Sequence, residues 1–355
     1  MNLVKNSIFY VKQKTAPGRL ELPDFLRGAA MLLVLLQHSG APFGNWILAF
    51  HMPLLFLLSG YTTFLMDRQK PFPVFLKGRI LRLIVPYFLF EGLNLAVWCA
   101  DLILQGSWQD LSEATIAILT CVNTEGYTGY YGRLWFFPCM FVADVLFYEI
   151  RRCCGEKRWA MWLFASVMLV LSWFTCRRLP YRLPFTLDSS CLAVVFLLLG
   201  YLLGDPIRHL LDSQNKRRDL FLLAALVPLL WFSVARGRAF CLMYVNQYGP
   251  YFWMMLAALS GSGLFLIGAK WLYAAVNRLG KGKSLILWYG RRSLATFPVH
   301  LSIKIAMLTL WPEVHWLAML AGMLLVNIPV VNFFEEYLPP FTGRVPVRRR
   351  EKAGC

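Results

Sequence analysis

Long apolar runs separated by short polar segments make up most of the chain. Ten of these runs contain about 18 or more mainly apolar residues, which is the length that a helix needs to cross the hydrocarbon core of a bilayer. They lie at about 28–44, 46–66, 83–104, 134–151, 159–176, 187–204, 219–235, 250–272, 285–310 and 316–338. The pattern predicts an all-α integral membrane protein with about ten transmembrane helices in one bundle.

The basic residues between the apolar runs predict how this bundle is oriented. Of the 36 Lys and Arg residues, 29 fall in segments on the same side as both termini, six fall in the opposite loops, and Lys304 lies within a predicted helix. Because loops rich in Lys and Arg stay in the cytoplasm, both termini are predicted to be cytoplasmic. The domain organisation that follows is a basic lead-in at 1–23, a transmembrane domain at 24–340 and a basic cytoplasmic tail at 341–355.

Composition excludes a soluble globular protein, since 58% of the residues are hydrophobic, 15% are charged and the mean hydropathy is +0.53. The net charge of +17 does not indicate a nucleic-acid partner, because the basic residues are divided into short clusters between apolar runs. The expected partner is the lipid bilayer. The nine cysteines lack the paired spacing of a zinc site, so no metal is predicted, and the pattern specifies no oligomeric state.

Three titratable residues fall in the first two apolar runs, where a membrane helix normally carries hydrocarbon. Arg27 and His38 are eleven residues apart, which places them on one helix face roughly 16 Å apart along the axis. His51 follows a short turn and should lie near His38. Asp24 is expected to cap the first helix and to pair with Arg27. Ionisable groups inside a membrane are costly and indicate a functional site, although anchoring or packing roles remain alternatives for each.

A basic cluster precedes the third predicted helix. Lys77, Arg79 and Arg82 suit phosphate, because guanidinium groups bind phosphate oxygens in pairs. The alternative is simple anchoring at the cytoplasmic face. Glu91 lies one to two turns into the same helix, where a buried carboxylate could neutralise an arginine or orient a histidine; the sequence does not identify its partner.

Several motifs in a fixed order together resemble the membrane acyltransferase-3 family, and within it the sugar (fucose-type) O-acetyltransferase branch. These motifs are Asp24-x-x-Arg27-Gly28, Arg27 and His38 with ten residues between them, Phe50-His51-Met52-Pro53, Leu58-Ser59-Gly60-Tyr61, Leu134-Trp135-Phe136, and Gly290-x-x-Ser293-Leu294 followed by His300. The resemblance covers about residues 20–340. One departure is Gly78, which stands where the family usually has the first arginine of an Arg-x-x-x-Arg motif ending at Arg82.

The resemblance implies an integral-membrane O-acyltransferase that moves an acyl group, most simply acetyl, from cytoplasmic acetyl-CoA to a hydroxyl of a cell-envelope sugar or glycan acceptor. It implies a multi-pass protein of the cell membrane, of the bacterial plasma membrane by that branch. It implies that the donor phosphates are bound by Arg27, Lys77, Arg79 and Arg82. It also implies catalysis by His38 as general base or acyl carrier, with His51 and Glu91 orienting it. Substrate or oxyanion contacts are implied for Ser59, Trp135 and His300.

Two other functions fit the residues. A transporter or flippase for a polar or lipid-linked substrate would also place His, Lys and Glu inside a helical bundle. Against it, the chain shows no inverted repeat and no matched pair of helices broken by Gly or Pro. A non-catalytic acyltransferase-like binding module is the second alternative, and coenzyme A binding without turnover would distinguish it.

Overall fold

The structure, a computed structural model, describes residues 21–66, 69–104, 108–122, 134–280 and 282–343. Within these ranges the chain forms fifteen α-helices and one short β-hairpin. The first helices are α1 Glu21–His38, α2 Gly44–Leu48, α3 His51–Met66, α4 Phe72–Arg79, α5 Val85–Leu104, α6 Trp108–Thr120, α7 Phe136–Cys154 and α8 Arg158–Arg178. The remaining helices are α9 Leu187–Leu202, α10 Gly204–Asp212, α11 Lys216–Ala235, α12 Tyr251–Leu279, α13 Lys283–Arg291, α14 Ser293–Leu310 and α15 Trp316–Tyr337.

Each apolar run that predicted a membrane helix overlaps a helix of the structure. In the described ranges, six helices are long and apolar enough to cross a membrane: α8, α9 with the turn before it, α11, α12, α14 and α15. The chain is therefore a nearly all-α, multi-pass membrane protein. The number of ten spans and the cytoplasmic position of both termini stay predictions.

The first two predicted helices differ in their limits. The first was expected at about 28–44 but α1 runs from Glu21 to His38, and the second is divided between α2 and α3. Asp24 does not cap the helix, because it is the fourth residue of α1 and its buried carboxylate pairs with arginine side chains. A capping residue precedes the first helical turn, whereas Asp24 lies within α1.

Helix α9 lies at the centre of the bundle, whereas α8, α11 and α15 lie at its edge. In the apolar 18-residue stretch of α9 and the turn before it, 78% of the residues are buried inside the protein. In the corresponding stretch of α11, 11% of the residues are buried. The exposed side chains of the outer helices are largely apolar, with Trp159, Phe221 and Leu325 among them. Exposed apolar surface of this extent is what a lipid-facing wall presents.

Two helix pairs approach so closely that only glycine fits between their backbones. Helix α3 crosses α9 at Gly60 and Gly200, and a Cβ on either would lie 2.0 Å from a backbone carbonyl oxygen of the other helix. Helix α1 crosses the short helix α13 in the same way at Gly28 and Gly290. Small residues that allow such approach are a common means of packing helices in membranes.

Helix α4 continues into α5 through a single π-helical turn, Ile80–Ile84. There the Val85 N–H donates to the Ile80 carbonyl, five residues back along the chain. Such turns often occur at functional sites. This turn carries Arg82, whose backbone packs against Gly343 near the end of the described chain.

Buried ion pairs fasten the outer elements to the bundle. Lys270 Nζ of α12 lies 2.6 Å from Asp219 Oδ2 of α11. The hairpin formed by β1 Cys241–Leu242 and β2 Gln247–Tyr248 is held by Arg182, which pairs with Asp188 at the start of α9 and donates to the Tyr244 carbonyl. These contacts hold peripheral elements and leave the centre of the bundle to α1, α3 and α9.

Candidate active site

Two histidines from distant parts of the chain meet at one end of α1. His38 is the last residue of α1, and its ring centroid lies 5.0 Å from that of His300 on α14, with the ring planes tilted by 51°. Helices α1 and α14 pack against each other, which explains the contact. The sequence predicted a role for each residue but not that they would touch.

Hydrogen bonding indicates which nitrogen of His300 carries the proton. The side chain is fully buried, and Nδ1 lies 3.2 Å from the Thr296 carbonyl oxygen. Because a carbonyl only accepts hydrogen bonds, Nδ1 is the protonated nitrogen and Nε2 presents a lone pair. Nε2 has no hydrogen-bond partner among the described residues. Leaving a buried acceptor without a partner is costly, so Nε2 is suited to accept a hydrogen bond from a hydroxyl group.

His51 has the same arrangement at the start of α3. Its Nδ1 lies 2.9 Å from the Ile47 carbonyl oxygen, so Nδ1 donates and Nε2 is the basic nitrogen. The side chain is buried. Since α2 and two short turns connect the end of α1 to the start of α3, His51 lies at the same end of α1 and α3 as His38.

An aromatic cluster backs the histidine pair. The Phe297 ring lies 5.6 Å from His300 and 4.8 Å from Phe136 of α7, and Phe136 lies 5.4 Å from Phe56 of α3. Trp135 joins the cluster, since it is buried and its ring lies 6.2 Å from Phe136. The predicted substrate residues Trp135 and His300 therefore belong to one continuous cluster.

Ser59 is the remaining substrate candidate, and it lies partly exposed in the middle of α3. Its backbone carbonyl accepts a hydrogen bond from Thr63 Oγ1 at 3.1 Å. This contact does not involve the Ser59 hydroxyl, whose role toward the substrate stays a prediction.

Glu91 fixes the start of α7. Its carboxylate is fully buried, and the Leu134 N–H donates to Oε1 at 3.1 Å. This contact supplies a partner that the sequence could not identify, and it holds the backbone next to Trp135. Glu91 therefore supports the backbone beside the aromatic cluster, and its predicted influence on a histidine stays a prediction.

Toward the opposite end of α1, Arg27 takes part in an ionic cluster with Asp24 and Arg291. Arg27 Nη1 lies 3.6 Å from Asp24 Oδ1, which confirms the predicted pair. Asp24 Oδ2 lies 3.5 Å from Nε of Arg291, at the end of α13. Only the first of these contacts is local in sequence, and so only the first was predictable.

The other predicted phosphate-binding residues lie on α4 and the π turn. Arg79 Nε lies 3.1 Å from Oδ2 of the buried Asp144 on α7, and its guanidinium also lies over the Phe75 ring at 5.3 Å. Arg79 therefore also has a structural role, because its ion pair holds α4 against α7. Lys77 and Arg82 are exposed, as a site for a soluble anionic ligand requires.

Two adjacent arginines were missed by the sequence reasoning. Arg291 contacts Asp24, and Arg292 Nε lies 2.7 Å from Glu335 Oε2 at the edge of an open groove that Asn332 and Glu336 also line. Both arginines fall within the Gly290-x-x-Ser293 motif, and this position in the motif was the one sign in the sequence that pointed to them. In the parts of the chain that the structure describes, no group of three or more His, Cys, Asp or Glu residues is arranged to hold a metal ion.

Comparison with known proteins gives one positive result. The model of the acyltransferase-3 family, described as an acyltransferase domain, matches residues 21–333. No curated protein and no solved structure matches the chain significantly. The matched range includes both ends of α1, the histidine pair and the ionic cluster.

Proposed function

The chain belongs to the acyltransferase-3 family of membrane acyltransferases, and from that premise we propose that it transfers an acetyl group from cytoplasmic acetyl-CoA to a hydroxyl of a sugar or glycan in the cell envelope. The observation that carries this proposal is the layout of α1. A guanidinium lies at one end of the helix and a pair of histidines lies at the other. Coenzyme A has charged phosphates at one end and its thioester at the other, so this separation suits it.

The histidine end supplies the proton chemistry. One histidine nitrogen removes the proton of the acceptor hydroxyl as its oxygen attacks the thioester carbonyl carbon. The carbon–sulfur bond then breaks, the thiolate of coenzyme A leaves, and it takes up the proton from the imidazolium. His38 is the proposed base, and His300 lies against its ring as the group that orients it. In the alternative mechanism, His38 itself carries the acetyl group transiently.

The surrounding residues have supporting roles in this proposal. His51 presents a second neutral nitrogen at the acceptor end of α1 and α3. The Trp135 indole N–H and the Ser59 hydroxyl are the proposed donors to the oxyanion that forms at the carbonyl. Glu91 keeps the start of α7, and with it Trp135, in position.

The basic end binds the donor. Arg27, Lys77, Arg79 and Arg82 are the proposed ligands of the coenzyme A phosphates, which guanidinium groups bind through paired hydrogen bonds. Lys77 and Arg82 are exposed, and Arg27 and Arg79 each keep about a third of the side chain exposed beside their carboxylates.

Replacing Arg82 by glutamine is expected to raise the KM for acetyl-CoA about tenfold with little change in kcat, because a charged hydrogen bond to phosphate is lost while the transfer chemistry is untouched. Steady-state kinetics with varied donor would measure this. The matched control is Lys70→Gln, which removes an exposed charge from the same segment. An unchanged KM in the Arg82 variant would argue against its phosphate role.

The proposed function is tested with sealed inside-out vesicles formed around a crude cell-envelope extract and supplied with radiolabelled acetyl-CoA. Label that enters an envelope acceptor only when the wild-type protein is present supports the proposal, and the labelled product identifies the acceptor. Folded protein that binds coenzyme A but labels no extract would instead favour the non-catalytic binding module. Folded protein that neither binds nor labels would favour the transporter.

A further inference from the structure

The ionic cluster at the start of α1 contains an arginine, Arg291, that the predicted donor site lacks. We infer that Arg291 is a phosphate ligand of the acyl donor and acts together with Arg27 across the shared carboxylate of Asp24. This inference rests on the proposed function and adds a residue from α13 to its donor site. Its basis is the geometry, charge and rigidity of the cluster.

Asp24 holds the two guanidinium groups side by side. Its carboxylate is buried, with Arg27 against one oxygen at 3.6 Å and Arg291 against the other at 3.5 Å. Both arginine side chains keep about a third of their surface exposed, 32% and 31% respectively. Each guanidinium has five N–H donors. Part of each side chain is therefore accessible to an anion that arrives from the solvent side.

The formal charge of the cluster depends on Arg291. Arg27 with Asp24 sums to zero, and a neutral pair attracts a phosphate weakly. Adding Arg291 gives the three groups a net charge of +1, with two planar forks next to one another. Guanidinium forks match the geometry of phosphate oxygens, and each fork can bind them through two parallel N–H···O bonds.

Close backbone packing holds the two arginines in register. Gly28 follows Arg27 and Gly290 precedes Arg291, and these glycines form the point at which α1 and α13 touch. A second contact between these helices lies nearer the start of both, where Glu21 pairs with Lys283 at 2.5 Å. Glu21 also accepts a hydrogen bond from Tyr273 at 2.7 Å. A preorganised site loses less free energy in ordering its side chains when it binds a ligand.

Arg292 provides the internal comparison. It is the next residue along the chain, but it pairs with its own carboxylate, Glu335, at 2.7 Å. That pair has no net charge and does not share Asp24. The inference therefore applies to Arg291 and not to its neighbour.

The test is direct binding of coenzyme A to the purified full-length protein in detergent, measured by titration calorimetry with pantetheine as the phosphate-free comparison ligand. Arg291→Gln is expected to weaken coenzyme A binding about tenfold and to leave pantetheine binding unchanged. Arg291→Lys, which keeps the charge but loses the fork, should show a smaller loss. Arg292→Gln should bind coenzyme A like the wild type.

These outcomes separate the two proposals. If the wild-type protein binds no coenzyme A, both the donor assignment and this inference fail. If the wild type binds and the folded Arg291→Gln and Arg291→Lys variants bind equally well, this inference alone is overturned. An equal loss for coenzyme A and pantetheine would also overturn it, because a merely structural effect does not distinguish ligands by their phosphates. If Arg291→Gln does not fold, Arg291→Lys alone carries the same comparison.

Discussion

Replacing His38 by alanine is expected to lower the rate of acyl transfer by about 10²–10⁴-fold, the usual contribution of a general acid or base. His38 is partly exposed at the end of α1, and its ring lies against His300. The buried side chains of the preceding turn, Val34 and Leu35, hold the helix in the core. The variant should therefore remain folded in the membrane, and the loss should fall on kcat. Transfer assays at saturating acetyl-CoA would measure it.

His315→Ala is the matched control for this variant. His315 is an exposed histidine outside the proposed site, where its Nδ1 accepts a hydrogen bond from the Leu317 N–H at the start of α15. Removing it should leave transfer close to the wild-type rate. Near-normal transfer by folded His38→Ala protein would rule His38 out both as base and as acyl carrier. Label on the wild-type protein in the absence of acceptor, detected without acid treatment and lost in His38→Ala, would identify the carrier mechanism.

Replacing Gly290 by alanine is expected to destabilise the protein by about 1–3 kcal/mol or more, the cost of overpacking a core. The added Cβ would lie 1.7 Å from the Asp24 carbonyl oxygen, and Gly28 on the opposite side already packs against the Ile286 carbonyl. Backbone atoms cannot rotate away as a side chain can, so α13 must move away from α1 by roughly 1.5 Å or more to restore normal contact. Thermal unfolding of the detergent-solubilised protein would measure the loss.

Gly268→Ala in α12 is the control for that experiment. A Cβ at Gly268 meets no heavy atom within 4 Å, so the substitution adds helix propensity without a clash. Its melting temperature should equal or exceed that of the wild type. If Gly290→Ala also melts like the wild type, α1 and α13 do not touch as closely as described. A destabilised Gly290→Ala protein should also bind coenzyme A more weakly, since the shift separates Arg291 from Asp24.

Features that depend on spacing along the chain could be predicted from the sequence. Long apolar runs indicated the helices because a bilayer requires a fixed length of hydrocarbon. The pair of Asp24 and Arg27 followed from their spacing on one helix. The same reasoning placed Arg27 and His38 on one face of α1. The limits of α1 were less well predicted, because its polar first turns carry no signal of membrane burial.

Contacts between distant helices could not be predicted. His38 meets His300, and Asp24 meets Arg291, from opposite halves of the chain. Glu91 bonds to the backbone N–H of Leu134, a group that every residue other than proline carries, so no side chain marked it as the partner. Such contacts depend on how helices pack, and packing here depends on close approach at glycines that sequence spacing alone does not pair.

The π-helical turn at Ile80–Ile84 sets the rotational phase between the two halves of the helix Phe72–Leu104. Each residue advances an α-helix by about 100° around its axis. The extra residue in the turn therefore rotates the side chains before the turn by that angle relative to the side chains after it. Arg79 on one side faces Asp144, while Glu91 on the other faces the start of α7. Deleting one residue from the turn would leave both halves helical. However, the contact of Arg79 with Asp144 and the contact of Glu91 with the start of α7 could then no longer form together. A single-residue change in length, which most loops accept, is therefore expected to disrupt this helix's contacts with α7.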